Sequence, residues 1–340
     1  MSKPSVTVCI PVYNGAQHLA ECLDSVCSQT YRDLEILILD DCSSDDSVKI
    51  VEQYRRNDNR IRLEQNEHNL GLVGNWEHCI ALAGGEHIKF AFQDDVLLPE
   101  CVEGLMRAIK GGVRFAFCDR EFIFADGTDE GLVSFFNRNR RLIAELFADM
   151  PMISPEAFSS AVLDGRPVNI VGEPTVTLIH RDIFCCYGRF NADFVQDCDF
   201  EFWCRVGTNE STSYVPQALA KFRVHAASAT SCNRAERLYR TRELDRLLIE
   251  HEFAFSPVFR KLREAARQRC PPIDLVDLFY ENAHWMVAIA LEKCAHAKIP
   301  EKTELDELQA LAARYPAMLK RAPLKYTVAR KWRSLNRLLR

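Results

Sequence analysis

FAFQDDVLLPE, residues 90–100, drives an apolar run straight into two adjacent carboxylates, Asp94 and Asp95. Like charges side by side repel. Either they are solvated at a turn, or something positive meets them. The run from His87 to Phe92 reads as a strand, and Pro99 opens a helix that continues toward Lys110, because proline suits a first helical turn.

Working outward, the chain to about residue 120 alternates between two hydrophobic periods. Val6–Ile10 is a short strand, and Leu19, Cys22, Leu23, Val26 and Cys27 share one helical face. Leu34–Leu39 is a continuous apolar strand of the kind buried on both faces of a parallel sheet. A helix over Asp45–Tyr54 follows, then a strand over Ile61–Glu64. A helix over Asn75–Ala83 stops at Gly84-Gly85, and a further strand covers Val113–Cys118. Strands alternating with helices predict an α/β fold, a mostly parallel sheet flanked by helices. Ligands on such sheets bind beyond the carboxyl ends of the strands. Three of those ends are polar: Pro11-Tyr13-Asn14, Asp40-Asp41 and Gln93-Asp94-Asp95. They should converge on one edge.

The second half is less regular. Residues 120–172 show no clear period and carry a basic stretch, FNRNRR at 136–141. Pro174–His180 reads as a strand, and FVQDCDFEFWCRV (194–206) as a helix opening in acids. Tyr214–Pro216 and Leu219–Val224 are extended and lead to His225. Beyond about residue 232 only helical patterns remain, at 237–252, 274–294 and 301–314. This predicts a C-terminal all-helical region, 232–340, after a first domain over 1–231.

The composition is that of a soluble globular protein: 47% hydrophobic, 27% charged, net charge -5. That balance argues against nucleic acid as a partner. The 14 cysteines mostly fall inside apolar patterns with no CxxC spacing, as expected of buried reduced thiols in the cytoplasm. No window reaches the roughly 18 apolar residues that span a bilayer, and the apolar part of the N-terminus is short for a signal peptide. A cytoplasmic location is therefore expected. Residues 320–340 carry eight Lys or Arg and no acid, with Val328, Trp332, Leu335 and Leu339 on one helical face. Such a segment (321–340) suits peripheral contact with an anionic membrane; a solvated terminal helix or a homodimer contact is the plainer reading.

Two carboxylates at a strand end suit a hard divalent cation, Mg²⁺ or Mn²⁺, shared with phosphate oxygens. Asp40-Asp41 is a second acidic pair, followed by CSSDDS. Ser43 or Ser44 can cap the next helix, while one of the two aspartates accepts from a base N–H or a ribose hydroxyl. GxGxxG and P-loop patterns are absent, which disfavours dinucleotide and P-loop chemistry. His180-Arg181 could reach a diphosphate or an acceptor, and Glu173 could be an acceptor-site residue or plain loop.

VTVCIPVYNGAQHLAECLDSVCSQTYRDLEILILDDCSSDDS and NLGLVGNWEHCIALAGGEHIKFAFQDDVLLP together resemble family 2 glycosyltransferases of the GT-A fold, over roughly residues 5–230. The resemblance implies a nucleotide-diphospho-sugar donor, a UDP-sugar first among them, and inverting transfer to a carbohydrate or lipid-linked acceptor hydroxyl. It implies a nucleotide-sugar-binding half over 1–119 and an acceptor and catalytic half over 120–231. Pro11, Tyr13, Asn14, Asp41 and Asp94 would hold the nucleotide. Asp95, with His225, would meet the metal. Gln93 departs from the third acid that many relatives carry there. In the family an acid opens a helix and an Arg follows six residues later; Asp199 and Arg205 fit, with Trp203 between them, and Asp199 would be the general base. Cys198 replaces the Glu often found before that acid, which leaves Asp197 as a rival base.

Two other functions are weighed. A sugar nucleotidyltransferase also uses an α/β sheet and a carboxylate-bound metal, but it carries a Gly-rich basic loop that IPVYNGAQHL lacks. A non-catalytic sugar-nucleotide or glycan-binding module would have no need to keep Asp41, Asp95 and Asp199 together.

Overall fold

The computed structural model describes residues 4–109, 111–147, 149–164, 168–226, 228, 231–233, 243–283 and 302–319. The basic stretch 320–340 and residues 284–294 of the expected 274–294 helix lie outside them. The described residues divide into two compact units, 1–192 with 198–228, and 193–197 with 229–340.

In the first unit, β1 (Val6–Val12) and β2 (Leu34–Asp40) run parallel from Val6↔Leu34 to Val12↔Asp40. β3 (Ile61–Gln65) adds to β2, and β4 (His87–Phe90) adds to β1, both parallel. All of β1 is buried, and Ile36 to Leu39 in β2 are fully buried. Each such Ile or Leu contributes about 1.5–3 kcal/mol by leaving water. Helices α1 (Leu19–Cys27), α2 (Ser47–Arg55) and α3 (Gly71–Leu82) connect these strands.

The sheet continues through β5 (Val96–Leu97), β6 (Phe115–Phe124), β7 (Met152–Ile153), β8 (Thr177–His180) and β9 (Thr212–Val224). Its order is β3-β2-β1-β4-β8-β6-β9-β5, with β7 also on β9. The α/β architecture is as expected, but the sheet is mixed rather than mostly parallel. β8 runs antiparallel to β4 and β6, and β9 lies parallel to β6 and antiparallel to β5 and β7.

That direction corrects one expectation. His180 ends β8 but pairs with His87, the first residue of β4. It therefore lies at the opposite end of β4 from Asp94 and Asp95. Its ring packs edge-on against His87 at 5.0 Å, and Arg181 gives its Nε to the Gly85 carbonyl at 3.1 Å. Neither residue belongs to the polar edge.

Between 120 and 172 the structure is helical where no period was legible. β6 runs on to Phe124, followed by α5 (Glu130–Phe147) and α6 (Pro155–Asp164). The buried face of α5 holds Phe136, Asn139, Ile143 and Phe147, so a polar residue interrupts its apolar stripe. Helices α4 (Cys101–Ala108), α7 (Asp182–Tyr187) and α8 (Cys198–Gly207) complete the unit. The cysteines described are free thiols.

The second unit is helical. It contains α9 (Asp245–Phe255) and further helices at Arg260–Arg267 and Lys302–Arg314, around buried Leu247, Leu248, Phe259, Leu262 and Phe279. Fully buried Asp245 accepts the backbone N–H groups of Val195, Gln196 and Asp197 at 2.6–3.2 Å. No helix among the described residues is long and apolar enough to cross a membrane.

Candidate active site

The three polar strand ends meet because β1, β2 and β4 are parallel neighbours, and they are tied to one another directly. Tyr13 N–H donates to Gln93 Oε1 at 2.8 Å, and Gln93 Nε2 donates back to the Tyr13 carbonyl at 3.1 Å. An amide can do both; a carboxylate could only accept. That explains Gln93 where an acid was expected. Gly15 is needed beside it, because a Cβ there would come within 2.3 Å of Gln93 Oε1. Asn14 takes a left-handed backbone (φ 48°), gives its N–H to Ser43 Oγ at 2.9 Å and accepts from Ser44 N–H at 2.8 Å. Pro11 is buried two residues beyond Cys9↔Phe90, where pairing with β4 has ended and no N–H is missed. Tyr13 is 51% exposed, a free aromatic face at this edge.

The acids at the end of β2 divide their work. Asp41 is buried and holds the start of α3: its Oδ1 accepts from Asn66 Nδ2 (2.7 Å) and Leu70 N–H (2.8 Å), its Oδ2 from Gly71 N–H (3.0 Å). The oxygen without a hydrogen-bond partner belongs to its neighbour, Asp40 Oδ1.

Beyond β4, Asp94 Oδ2 meets His225 Nε2 at 2.9 Å. Asp95 is 1% exposed; its Oδ1 accepts the Arg223 N–H at 3.0 Å, while its Oδ2 is buried and makes no well-aligned hydrogen bond, with the Thr175 hydroxyl close to the carboxyl. Burial, then the adjacent Asp94 charge, pushes the Asp95 carboxyl well above the usual carboxylate range. Among the described residues no three His, Cys, Asp or Glu form a ready metal cluster. A bare buried carboxylate oxygen beside an Asp–His pair still fits Mg²⁺ or Mn²⁺, which bind through one or two carboxylates plus ligand phosphates. His225 reaches Asp94, so the two metal candidates stand on adjacent acids.

Asp199 opens α8. Its Oδ1 accepts the Phe200 N–H at 2.6 Å and its Oδ2 faces Asn169 Nδ2 at 3.3 Å. It keeps some solvent contact, but protein packs around the carboxyl. That burial, then the charge of Glu173, pushes it up to about 7, against the pull of Arg120. A carboxyl at that value is poised to take a proton near neutral pH. The rival Asp197 gives its N–H to Asp245 at 3.2 Å in the second unit. Arg205, six residues along α8 and hence on another face, clasps Glu201 and the carbonyls of Tyr187 (2.7 Å) and Arg189 (2.9 Å). Trp203 gives its indole N–H to the Gly172 carbonyl at 2.9 Å.

Residues 7–162 match the family described as Glycosyl transferase family 2. An uncharacterized protein, MT1568 of Mycobacterium tuberculosis, is 32% identical over 231 residues, 68% of this chain and 70% of that protein. The chain belongs to glycosyltransferase family 2. It is accordingly a glycosyltransferase. A beta-1,3-glucosyltransferase of Campylobacter jejuni, named for a GalNAc(5)-diNAcBac-PP-undecaprenol substrate, is 34% identical over 116 residues, 34% of this chain and 37% of that protein. Among solved structures, the mannosyltransferase PcManGT of Pyrobaculum calidifontis, in complex with GDP-Man and Mn²⁺, superposes with a TM-score of 0.54 at 17% identity. The match covers 93% of this chain and 83% of that one. At that identity the likeness is one of fold.

Several residues of this family 2 site carried no signal in the sequence. Arg223 gives its Nε to the Asp94 carbonyl at 2.9 Å and pairs with Glu21. His18 packs edge-on against His225 at 5.2 Å. Lys89, fully buried in β4, donates to the carbonyls of Phe90 (2.8 Å) and Thr175. Apart from Lys89–Phe90, each contact joins segments far apart in the chain, so no local pattern announces it.

Proposed function

We propose that this chain transfers a sugar, with inversion, from a nucleoside-diphosphate donor to a hydroxyl of a polysaccharide or lipid-linked glycan. The observation that carries the reading is a pair of carboxyls with opposite needs: buried Asp95 with a bare oxygen, and partly buried Asp199 pushed up to about 7. The donor and Mn²⁺ named for the mannosyltransferase support the first half, and the undecaprenol-linked substrate named for the glucosyltransferase supports the acceptor class.

In this reading Tyr13 and Asn14 lie against the nucleoside at the end of β1, with Pro11 shaping the strand end beneath them. The carboxylates after β2, Asp41 and its neighbour Asp40, accept from its base or ribose. Asp95 and the Asp94–His225 pair would hold the divalent ion. When bound, that ion supplies positive charge for the leaving diphosphate. Asp199 takes the proton from the acceptor hydroxyl. The hydroxyl oxygen bonds to the anomeric carbon as the carbon–oxygen bond to the diphosphate breaks, and the nucleoside diphosphate leaves with the electron pair. A hydroxyl is a weak nucleophile, so a base held at about 7 matches the task at physiological pH.

The test is calorimetric titration with UDP, GDP, dTDP and CMP, each with and without Mn²⁺. Mn²⁺-dependent binding of one diphosphate is expected and names the nucleotide. Failure of all four to bind folded protein would shift the reading to a module without a donor site. Binding of a nucleotide with no sugar transfer or donor hydrolysis would favour a binding protein.

A further inference from the structure

The loop 169–175 touches both ends of the site, and the reaction described above uses none of its side chains. Asn169 faces Asp199 at 3.3 Å, and the Thr175 carbonyl receives Lys89. Because β8 runs antiparallel to β4, the segment entering β8 lies alongside the segment leaving β4, where Asp94 and Asp95 stand. Glu173 occupies the middle of this loop. Its charge is felt at Asp95 and at Asp199 alike, raising both carboxyls.

Glu173 pairs with Arg120, which is 2% exposed: Nε lies 2.7 Å from Oε2 without hydrogen-bond alignment, and Nη2 donates to Oε1 at 3.4 Å; the glutamate side chain remains 17% exposed. Register shifts in β6 at Asp119 and Arg120 mark a β-bulge, the device by which strands re-aim a side chain. Gly172 lies directly on that guanidinium: its φ is +113°, and a Cβ there would stand 2.8 Å from Arg120 Cζ. Trp203 and Asn169 fix the Gly172 carbonyl from either side, at 2.9 and 3.1 Å.

A third acid placed near Asp95 and Asp199 raises the electrostatic cost of the site. Charge balance for Arg120 does not require it, since an apolar pair could replace both at little loss. We infer that Glu173 is a substrate-binding residue that accepts hydrogen bonds from hydroxyls of an uncharged donor sugar lying between Asp95 and Asp199. The inference rests on the donor reading above and deepens it. A carboxylate only accepts, and sugar hydroxyls donate. A sugar bearing its own carboxylate would face Glu173 and Asp199 as like charges and be rejected. The donor class is then a neutral hexose or N-acetylhexosamine, not a uronate.

The experiment compares UDP with UDP-glucose, UDP-galactose, UDP-N-acetylglucosamine and UDP-glucuronate, and GDP with GDP-mannose, by calorimetry with Mn²⁺. On wild-type protein at least one neutral sugar should tighten binding about tenfold over its bare nucleotide, the scale of a hydrogen bond to a charged group. Glucuronate should add nothing. E173Q, near-isosteric and checked for folding by its thermal melt, should keep bare-nucleotide affinity within about twofold and lose the sugar's gain. A glucuronate conjugate that binds as tightly as the neutral ones overturns the inference without any variant, and so does an E173Q that keeps the gain. Failure of all four bare nucleotides, UDP, GDP, dTDP and CMP, on wild-type protein removes the donor reading itself, and this inference with it.

Discussion

Asp95 and Asp199 are both carboxyls raised by burial, yet they are built for different ends. Asp95 is almost fully buried, has a like charge next to it in the chain, and leaves one oxygen with no hydrogen bond. Such a group is costly as an anion and gains most from a bound cation. Asp199 keeps solvent contact, accepts a backbone N–H, and feels Arg120 as well as Glu173, which stops its rise at about 7. Two environments thus suit the same side chain to the two roles proposed above, cation ligand and proton acceptor.

The largest effect that would break this comparison is at Asp95. D95A should abolish Mn²⁺-dependent nucleotide binding and cut transfer by about a thousandfold or more, the scale of losing one strong electrostatic contact to a developing charge. Metal-dependent binding that survives in D95A would show that the bare oxygen is not where the ion sits.

D199N should cost about 10²–10⁴ in kcat, the usual contribution of a general base, while leaving nucleotide affinity in place. In the wild type, kcat should rise with pH to a plateau through an apparent pKa of about 7, because only the ionised carboxyl accepts the proton. Stability should move the other way. Asp199 is raised in the folded state, so between about pH 4 and 7 the folded chain binds more protons than the unfolded one, and stability falls as pH rises. D199N removes that penalty. It should melt at or above the wild type at pH 8, with the gap closing toward pH 4. A D199N variant that melts lower at pH 8 and loses nucleotide binding would mark Asp199 as structural.

How much of this was legible in the sequence depends on the reach of each signal. β1 and β2 were legible because both faces are covered, and the chain shows this as continuous apolar runs. The acids after β4 were legible because charge after such a run is conspicuous. The direction of β8 was not, which left His180-Arg181 open as residues near the diphosphate or acceptor although they lie at the other edge. β6 was expected to stop at Cys118 because Asp119 and Arg120 look like a strand end. Their partners, Arg140 and Glu173, lie 21 and 53 residues away. α5 was hidden by Asn139 on its buried face. Of the two aspartates at the end of β2, Asp41 was chosen for the nucleotide; the fold spends two of its contacts on the start of α3 and one on Asn66, and leaves the unpartnered oxygen to Asp40. Adjacent carboxylates cannot be told apart until the donors around them are known.

The smallest effect tests the metal side of the comparison from the residue beside it. Q93E puts a third acid next to Asp94 and Asp95. If the site were short of negative charge, Mn²⁺ affinity should climb. Local chemistry argues for a different result. The Tyr13 carbonyl now accepts from Gln93 Nε2 at 3.1 Å, and in Q93E it would face a carboxylate oxygen instead. That loss and the new repulsion cost about 1–3 kcal/mol, whereas an added charge open to solvent is largely screened. We expect a lower melting temperature, weaker nucleotide binding, and Mn²⁺ affinity changed by less than about threefold. A clear rise in Mn²⁺ affinity with Tyr13 undisturbed would instead mean that Asp94 and Asp95 are an incomplete acid set, with Gln93 a concession to holding the end of β1.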